Sequence, residues 1–397
     1  MKWKYSVGYH QFLDEVNMNF QLNRFLTIGS ARYEDICNVA SRIETLADWK
    51  REFLALAKKG CDEGRTLNAM TYYRAAEFFM TEGDPDKELA YDMFIDQFQK
   101  AFADDFDSGL IIEERVSYQS GYLPVKRIPA ASVDPSRGTI LIHGGFDSFI
   151  EELYPFFDYF SGRGYNVIAF EGPGQGAALR KYGLPMTHQW ELPVRAVLDH
   201  YNLSDVTIIG ISLGGYLAPR AAAFEQRISR VIAFNVIYDF FEVMVRRRGW
   251  AFEVALRLFT SFRLGFLVNP MARLRMRRDP FVAWGIQQGM SVLGVDSPYR
   301  YVLETKKYHT RDISHLITQD FLLTAGTKDH FIPLDLFHRQ AEILTNVRSF
   351  TGRIFTEAEG NQNHCQVGNI EPALAFIADW IDQQTLAVKT TDKKHLS

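Results

Sequence analysis

The stretch Val206-Thr207-Ile208-Ile209-Gly210-Ile211-Ser212-Leu213-Gly214-Gly215 decides the fold. Its first six residues are mostly apolar and β-branched, as in a buried strand, and an alanine-rich helical pattern starts at its end. Between strand and helix, Gly210 to Gly214 matches the pattern G-x-S-x-G. Small neighbours let the chain bend sharply there, which strains the serine and exposes its hydroxyl. The stretch therefore predicts that Ser212 is a nucleophile.

Short apolar runs of the same kind recur along the chain, each bounded by a turn. They occupy 139–143, 166–170, 231–234 and 321–326, with a further strand around 353–355. Amphipathic segments separate most of them, and a hairpin beginning near Gly109 precedes them. This alternation predicts an α/β fold, with a mostly parallel sheet and helices on both faces.

Two segments lack strand patterns and divide the chain. The first, 1–108, is predicted to be an N-terminal helical domain, because apolar residues occur at helical spacing from about Tyr33 to Phe106. The second, 236–316, interrupts the strands and predicts a helical cap insertion. The catalytic core is therefore expected in two parts, 109–235 and 317–385, followed by a polar tail at 386–397.

The insertion is unusually basic for this chain. Residues 237–316 contain 13 Lys and Arg against 7 Asp and Glu, although the whole chain has a formal net charge of -4. A solvated helical face with local salt bridges explains such a pattern. Attraction of an anionic substrate is the alternative.

Two polar loops follow the last predicted strands. Asp329 lies in the loop after 321–326 and is the expected acid of a catalytic triad; Asp335, inside the next helix, is the weaker candidate. His364 lies in the polar loop after 353–355 and is the expected base. The chain order Ser212, Asp329, His364 is that of hydrolases with a nucleophile on a strand-to-helix turn.

The oxyanion-stabilising amides are expected on two turns. Leu213 follows the nucleophile at a helix N-terminus, where its backbone N–H faces developing negative charge. The turn His143-Gly144-Gly145-Phe146 ends the strand 139–143, and Gly145 or Phe146 is expected to supply a second N–H. His143 is interpreted as a side chain that stabilises this turn. Asp147 is left open between helix capping and substrate contact.

Composition limits the partners. Without a global positive field, neither a nucleic acid nor an anionic membrane is expected to bind, which favours small-molecule or peptide chemistry. The expected partner is a small-molecule substrate, and aromatic and anionic compounds are the candidates. The three cysteines, Cys37, Cys61 and Cys365, suggest neither disulfides nor a thiolate metal site. No secretory signal is recognised, so the expected location is cytoplasmic.

No cofactor is expected. The loop Glu171-Gly172-Pro173-Gly174-Gln175-Gly176 follows a strand and is rich in glycine. Its third glycine comes one residue too early for a dinucleotide site, however, and Pro173 lacks an amide for a phosphate. No Walker loop, H-E-x-x-H pair or EF-hand pattern is present, so no metal is expected either.

With the serine turn, the H-G-G-F-D-S turn and the E-G-P-G-Q-G loop, residues 35–385 resemble the α/β-hydrolases that carry an N-terminal helical domain. That group includes 2,6-dihydroxypseudooxynicotine hydrolase, fungal polyketide-shortening hydrolases, and proteins described as acylaminoacyl-peptidase-like or fermentation-respiration switch proteins. The resemblance implies the α/β-hydrolase fold and a serine hydrolase that cleaves an ester, an amide or a C–C bond next to a ketone, often as a homodimer. It assigns Ser212, Asp329 and His364 as nucleophile, acid and base, and the turn at Gly144 to Phe146 as the oxyanion segment.

Three functional hypotheses follow. The first is a serine hydrolase that forms an acyl-enzyme on a small acyl, ester or keto substrate. The second is an exopeptidase that cleaves aminoacyl or acyl-aminoacyl amides. The third is a binding or regulatory protein that has kept a hydrolase scaffold without its activity.

Overall fold

The computed structural model of the chain describes residues 3–131, 137–246 and 248–395, without the side chains beyond Leu386. Eight strands in this part form one sheet in the order β1-β2-β4-β3-β5-β6-β7-β8. The strands are β1 Ile112–Tyr118, β2 Gly121–Ile128, β3 Thr139–His143, β4 Asn166–Phe170, β5 Val206–Ile211, β6 Ile228–Phe234, β7 Asp320–Gly326 and β8 Ser349–Phe355.

Strands β3 to β8 run parallel, and β2 pairs antiparallel with both β1 and β4. The predicted hairpin near Gly109 is thus formed by β1 and β2, and the α/β fold class is confirmed. β6 begins three residues earlier than predicted, at Ile228 instead of Val231. The sequence did not indicate this start because the charged Arg230 interrupts the apolar run. Arg230 is buried and donates to Thr207 Oγ1 and Asp205.

The register of the central strands brings their carboxyl ends to one edge of the sheet. His143 at the end of β3 pairs with Gly210 of β5, and Ile211 pairs with Phe234 at the end of β6. The residues that follow these strands therefore leave the sheet side by side. In an open parallel sheet, this edge is where ligands bind.

By compactness the chain forms two units. The first comprises 1–4, 110–243 and 308–397 and contains the sheet. Its helices are α7 Tyr154–Gly162, α8 Gly176–Arg180, α9 Glu191–His200, α10 Gly214–Phe224, α16 Asp335–Ile343 and α17 Glu371–His395. Helix α17 continues through the start of the predicted polar tail to His395, while α11 (Phe240–Arg246) has residues in both units.

The second unit comprises 5–109 and 244–307 and is helical. Its remaining helices are α1 Val16–Thr27, α2 Tyr33–Ala40, α3 Leu46–Asp62, α4 Thr66–Phe78, α5 Lys87–Ala101, α6 Ala103–Asp107, α12 Trp250–Ser261, α13 Gly265–Arg278, α14 Pro280–Val292 and α15 Pro298–Thr305. Helix α1 was not predicted. Its interior carries Asn19 and Asn23, whose buried side chains bond the backbone of residues 10–13 and interrupt the apolar pattern.

Within this second unit the N-terminal helices pack against those of the insertion. The indole of Trp284 donates to Phe78 O at 3.1 Å, and Phe79 makes edge contacts with Phe281 and Trp284. Aromatic pairs of this kind stabilise more than their buried area alone. The division into a helical domain, a two-part core and a cap, as drawn from the sequence, stays a prediction.

Several cations of the basic insertion have nearby acidic partners. Arg257, Arg275 and Arg300 each pair with an acidic residue one helical turn away, at 2.8–3.0 Å. Surface pairs of this kind contribute little to stability, about 0.3–0.5 kcal/mol each. They support the interpretation of the basic segment as a solvated face.

In the part of the chain that the structure describes, each helix is too short or too polar to cross a membrane.

Candidate active site

Ser212 directly follows β5 and has a φ of 62°, the left-handed conformation that a non-glycine residue rarely adopts. Two glycines make the turn possible. A Cβ at Gly210 would lie 2.1 Å from Gly214 O, and one at Gly215 would lie 1.7 Å from Asn235 O. At Gly214, the last glycine of the G-x-S-x-G pattern, the nearest atom would lie at 3.2 Å from such a Cβ, which is tight without being a collision. The close approach on the helix side therefore falls at Gly215, one residue later than the pattern suggested.

The three side chains predicted as a triad form one continuous hydrogen-bonded chain. Ser212 Oγ lies 2.9 Å from His364 Nε2, and His364 Nδ1 lies 2.7 Å from Asp329 Oδ2. The imidazole and the carboxyl are 7% and 2% exposed, so water screens this ion pair weakly. A hydroxyl, an imidazole and a buried carboxylate in this order can transfer the hydroxyl proton to the imidazole.

Asp329 accepts four hydrogen bonds, which fix its carboxylate. Oδ1 accepts from the amides of Phe331 at 2.8 Å and Ile332 at 3.0 Å. Oδ2 accepts from His364 and from Asn235 Nδ2, each at 2.7 Å. Because every partner donates, the site favours a charged carboxylate at this position.

The charges of the pair determine its protonation. Burial lowers the pKa of His364, but the charge and hydrogen bond of Asp329 outweigh it, and the net pKa is well above the usual 6.5. Burial raises the pKa of Asp329, but the charge and hydrogen bond of His364 lower it by more. The net pKa of Asp329 is therefore below its usual value. The arrangement therefore stabilises an imidazolium beside a carboxylate, the form that follows proton transfer from a serine.

The turn after β3 lies against the nucleophile. A Cβ at Gly145 would lie 2.6 Å from Leu213 N and 3.1 Å from Ser212 Cβ, so only glycine permits this approach. The amide of Gly145 donates to Ser148 Oγ at 3.1 Å. Within the described part of the chain, the amides of Leu213 and Phe146 donate no hydrogen bond.

His143 lies fully buried beneath this turn. Burial lowers the pKa of His143 to about 4, so its ring is neutral. Nε2 accepts from the indole of Trp190 at 3.2 Å, which leaves the proton on Nδ1, 2.9 Å from Gly144 O. The side chain therefore holds the turn in place, in agreement with its interpretation from the sequence.

Sequence reasoning missed Asn235, the first residue after β6. Its side chain bonds both the acid and the base loop: Nδ2 donates to Asp329 Oδ2, and Oδ1 accepts from the amide of Cys365 at 3.2 Å. Asn235 has a φ of 54°. The available signal was an asparagine directly after a buried strand, since asparagine tolerates the left-handed conformation.

Four of the eight non-glycine residues with positive φ in the described ranges belong to this cluster. They are Ser212, Asn235, Cys365 and Gln366.

Asp335, the weaker candidate acid, is exposed at the start of α16. No group of three or more His, Cys, Asp or Glu residues within 3–131, 137–246 and 248–395 is arranged to hold a metal ion.

The family comparison identifies the scaffold. Residues 139–362 match the α/β hydrolase family, a range that includes β3 to β8 with Ser212 and Asp329 and ends two residues before His364.

Two curated fungal proteins are similar in sequence. Hydrolase acrC of Aspergillus aculeatus is 31% identical over an alignment of 354 positions that covers 81% of this chain and 81% of that one. The 20-hydroxy-prefusarin hydrolase FUS2 of Gibberella moniliformis is 31% identical over an alignment of 258 positions that covers 58% of each chain. Among solved structures, the 2,6-dihydroxy-pseudo-oxynicotine hydrolase has a TM-score of 0.62 at 20% identity, covering 90% of this chain and 94% of that one. The chain belongs to the α/β hydrolase family and is a hydrolase.

Proposed function

We propose that the protein is a serine hydrolase that forms an acyl-enzyme on Ser212, with His364 as general base and Asp329 as the acid that orients it. The observation that carries the proposal is the unbroken hydrogen-bonded chain from Ser212 Oγ through the imidazole to Asp329 Oδ2. A serine hydroxyl is a weak nucleophile until an adjacent base removes its proton. The imidazole is in contact with that hydroxyl.

The reaction proceeds in two halves. Ser212 Oγ attacks the electrophilic carbonyl carbon while its proton passes to His364 Nε2, and the imidazolium then protonates the leaving group as its bond to the acyl carbon breaks. Water next attacks the acyl-enzyme and loses a proton to the same imidazole. The imidazolium returns this proton to Ser212 Oγ as the bond between that oxygen and the acyl carbon breaks, and the acid leaves. Asp329 stays ionised throughout and keeps the Nδ1–H directed at itself.

Negative charge develops on the carbonyl oxygen in both halves. The amide of Leu213, next to Ser212 at the start of α10, is the first donor to it, and the amide of Gly145 or Phe146 is the second. Gly145 lies against Leu213 N, which supports a shared site. The amide of Gly145 donates to Ser148 Oγ. A substrate oxyanion would share this donor with Ser148 Oγ or replace Ser148 Oγ as its acceptor.

Aromatic side chains beside this site support an aromatic or keto-acyl substrate. Phe331 packs edge-on to His364 with ring centroids 5.0 Å apart, and Phe146 of the oxyanion turn contacts Phe240 at 5.4 Å. The name of FUS2 gives 20-hydroxy-prefusarin as its substrate. The name of the structurally similar hydrolase gives 2,6-dihydroxy-pseudo-oxynicotine. We extend the same kind of reaction, on a small acyl, ester or C–C bond substrate, to this chain.

A screen of ester, amide and β-diketone substrates tests the bond class. Turnover of esters or β-diketones is expected, and the same samples should show covalent labelling of Ser212 by a fluorophosphonate. Preferential release of amines from aminoacyl or acyl-aminoacyl amides would assign the protein to the exopeptidases instead. A folded protein that neither reacts with the fluorophosphonate nor turns over any substrate would be a binding protein on a hydrolase scaffold.

The titration of His364 predicts the pH dependence of the reaction. The imidazolium cannot accept the serine proton, so activity requires the neutral ring. Because Asp329 raises the pKa of His364 above the usual 6.5, kcat/KM is expected to fall as the pH drops through that raised value and to level off above it. A profile of kcat/KM against pH checks this. A midpoint below 6.5 would contradict the raised pKa of His364, and a rate that does not fall at acidic pH would contradict its assignment as the base.

Replacement of Asn235 by glycine should slow turnover without straining the backbone. Glycine keeps the φ of 54° but removes all three side-chain hydrogen bonds, which join Asn235 to Asp329, Cys365 and Gln366. A hydrogen bond to a charged group contributes about 1.5–3 kcal/mol. The expected loss in kcat is therefore about 10- to 100-fold, since about 1.4 kcal/mol corresponds to tenfold.

Asn202→Gly is the matched control for this change. Asn202 also has a left-handed backbone, with a φ of 49°, but it is exposed in the turn after α9. It should keep full kcat. Equal effects of the two variants would exclude a positioning role for Asn235.

A further inference from the structure

The loop that follows β4, Glu171 to Gly176, has no role in the steps derived above, yet one of its side chains reaches the oxyanion turn. Gln175 is 3% exposed. Its Nε2 donates to Gly144 O at 2.9 Å and to Gly145 O at 2.8 Å. Both carbonyls belong to the turn that lies against Leu213 and Ser212.

These two contacts determine where two amides point. A trans peptide is planar, so the C=O of one residue and the N–H of the next are directed oppositely. A donor on Gly144 O therefore turns the N–H of Gly145 away from Gln175, and a donor on Gly145 O does the same for the N–H of Phe146. These are the two candidate oxyanion donors, and one side chain orients both.

The turn requires such a restraint. Gly144 and Gly145 are consecutive glycines, whose peptide planes rotate at little steric cost. His143 Nδ1 supplies a second contact to Gly144 O. Gly145 O accepts its side-chain hydrogen bond from Gln175.

Gln175 is itself held firmly. Its Oε1 accepts from the amide of Gly172 at 2.9 Å, so both ends of the side-chain amide are assigned. Glu171 anchors the loop by accepting from the amide of Ala177 at 2.6 Å, and a Cβ at Gly172 would lie 2.2 Å from the Trp190 ring. The loop therefore has little freedom to withdraw its glutamine.

We propose that Gln175 is a positioning residue that holds the oxyanion turn so that the backbone amide of Phe146 faces the oxyanion, together with the amide of Gly145 when the oxyanion replaces Ser148 Oγ as its acceptor. The proposal rests on the proposed function, because it requires that Ser212 react. It also explains the glycine-rich loop after β4, which the sequence excluded as a dinucleotide site: its task is to present a buried amide side chain to the neighbouring turn.

The test is the rate at which a fluorophosphonate phosphonylates Ser212, followed by intact mass. In this reaction Ser212 Oγ bonds to phosphorus, fluoride leaves, and the hydroxyl proton passes to His364, while negative charge builds on the phosphoryl oxygen in the oxyanion site. No knowledge of the natural substrate is needed. The maximal rate and the half-saturating concentration are measured separately.

Gln175→Met removes both donors at nearly constant size. Loss of one oxyanion donor costs about 10²–10³-fold, and here the donors are misdirected instead of deleted, so a fall of about 10- to 100-fold in the maximal rate is expected. The half-saturating concentration should stay within about twofold, because only the charged transition state uses these amides. A merely structural role would not separate the two constants in this way.

Gln319→Met is the matched control. Gln319 is 4% exposed, donates to Ala222 O at 2.9 Å and accepts from the amide of Thr318, just before β7. It should react like the wild type. If Gln175→Met does not fold, as judged by thermal melting, Gln175→Glu gives the same readout with a carboxylate facing the two carbonyls.

Each outcome decides a different claim. A Gln175 variant that reacts at the wild-type rate overturns the role of Gln175 and leaves the proposed function intact. A wild-type protein that is not labelled at Ser212 overturns the proposed function, and the role of Gln175 with it. Equal loss in the Gln175 and Gln319 variants means general destabilisation and also overturns the positioning role.

Discussion

Replacement of Ser212 by alanine is expected to reduce kcat by about 10⁶-fold, the loss that follows removal of the nucleophile from a serine triad. The hydroxyl is the only part of the side chain that alanine lacks, and its loss removes the atom that becomes acylated. The strained backbone at Ser212 is as demanding for alanine as for serine, so the fold should be kept. Steady-state hydrolysis and labelling by a fluorophosphonate, measured on the same preparation, check both consequences.

Ser161→Ala provides the comparison for this variant. Ser161 lies in α7, outside the candidate site, and is also buried in the unit that contains the sheet. Its hydroxyl donates to Pro129 O at 2.6 Å. It should lose some stability and keep its kcat. Activity of Ser212→Ala within tenfold of the wild type would exclude Ser212 as the nucleophile.

Asp329→Asn is expected to cost about 10⁴-fold in kcat, if the residue acts as the acid does in the serine protease template. All four contacts of the carboxylate come from donors, so the NH2 end of an asparagine amide must face groups that donate in the wild type. If that end faces His364, the ring has to accept at Nδ1. The proton then moves to Nε2, where the imidazole can no longer take one from Ser212.

Asp335→Asn separates this role from the alternative that the sequence left open. Asp335 is exposed at the start of α16, and its replacement should leave kcat nearly unchanged. Rates of ester hydrolysis, with melting temperatures for both variants, decide the matter. A loss below tenfold for Asp329→Asn, together with a large loss for Asp335→Asn, would move the acid role to Asp335.

The sequence was informative where chemistry depends on strand ends. The fold class and the family are confirmed, because buried strands leave strong apolar runs and the serine turn has a strict pattern. The structure also brings Ser212, His364 and Asp329 into one hydrogen-bonded chain. Their catalytic roles remain the proposal that the variants above test.

The supporting residues were not predictable in the same way. Asn235 and Gln175 act through single side-chain amides, and their partners lie 94 and about 30 residues away along the chain. A local pattern carries no record of such pairings. The glycines of the loop around Gln175 suggest phosphate binding and carry the family resemblance, but nothing local indicates which groups its glutamine contacts.

Two features of the helical segments were not predictable for other reasons. Helix α1 carries buried asparagines that bond neighbouring backbone, which removes the apolar period on which helix prediction depends. The insertion was predicted as helical, yet its packing against the N-terminal helices through Trp284, Phe281 and Phe79 leaves no local signal. Contacts between distant segments require coordinates.

The four left-handed backbones at Ser212, Asn235, Cys365 and Gln366 limit how the protein can change. Each such residue costs on the order of 1 kcal/mol or more of folding stability, which the surrounding sheet has to offset. Substitutions that relax these backbones would make the protein more heat-resistant, but they would place the catalytic groups less precisely. Adaptation to a new substrate is therefore open mainly to the side chains around this rigid centre, while the centre itself tolerates little variation.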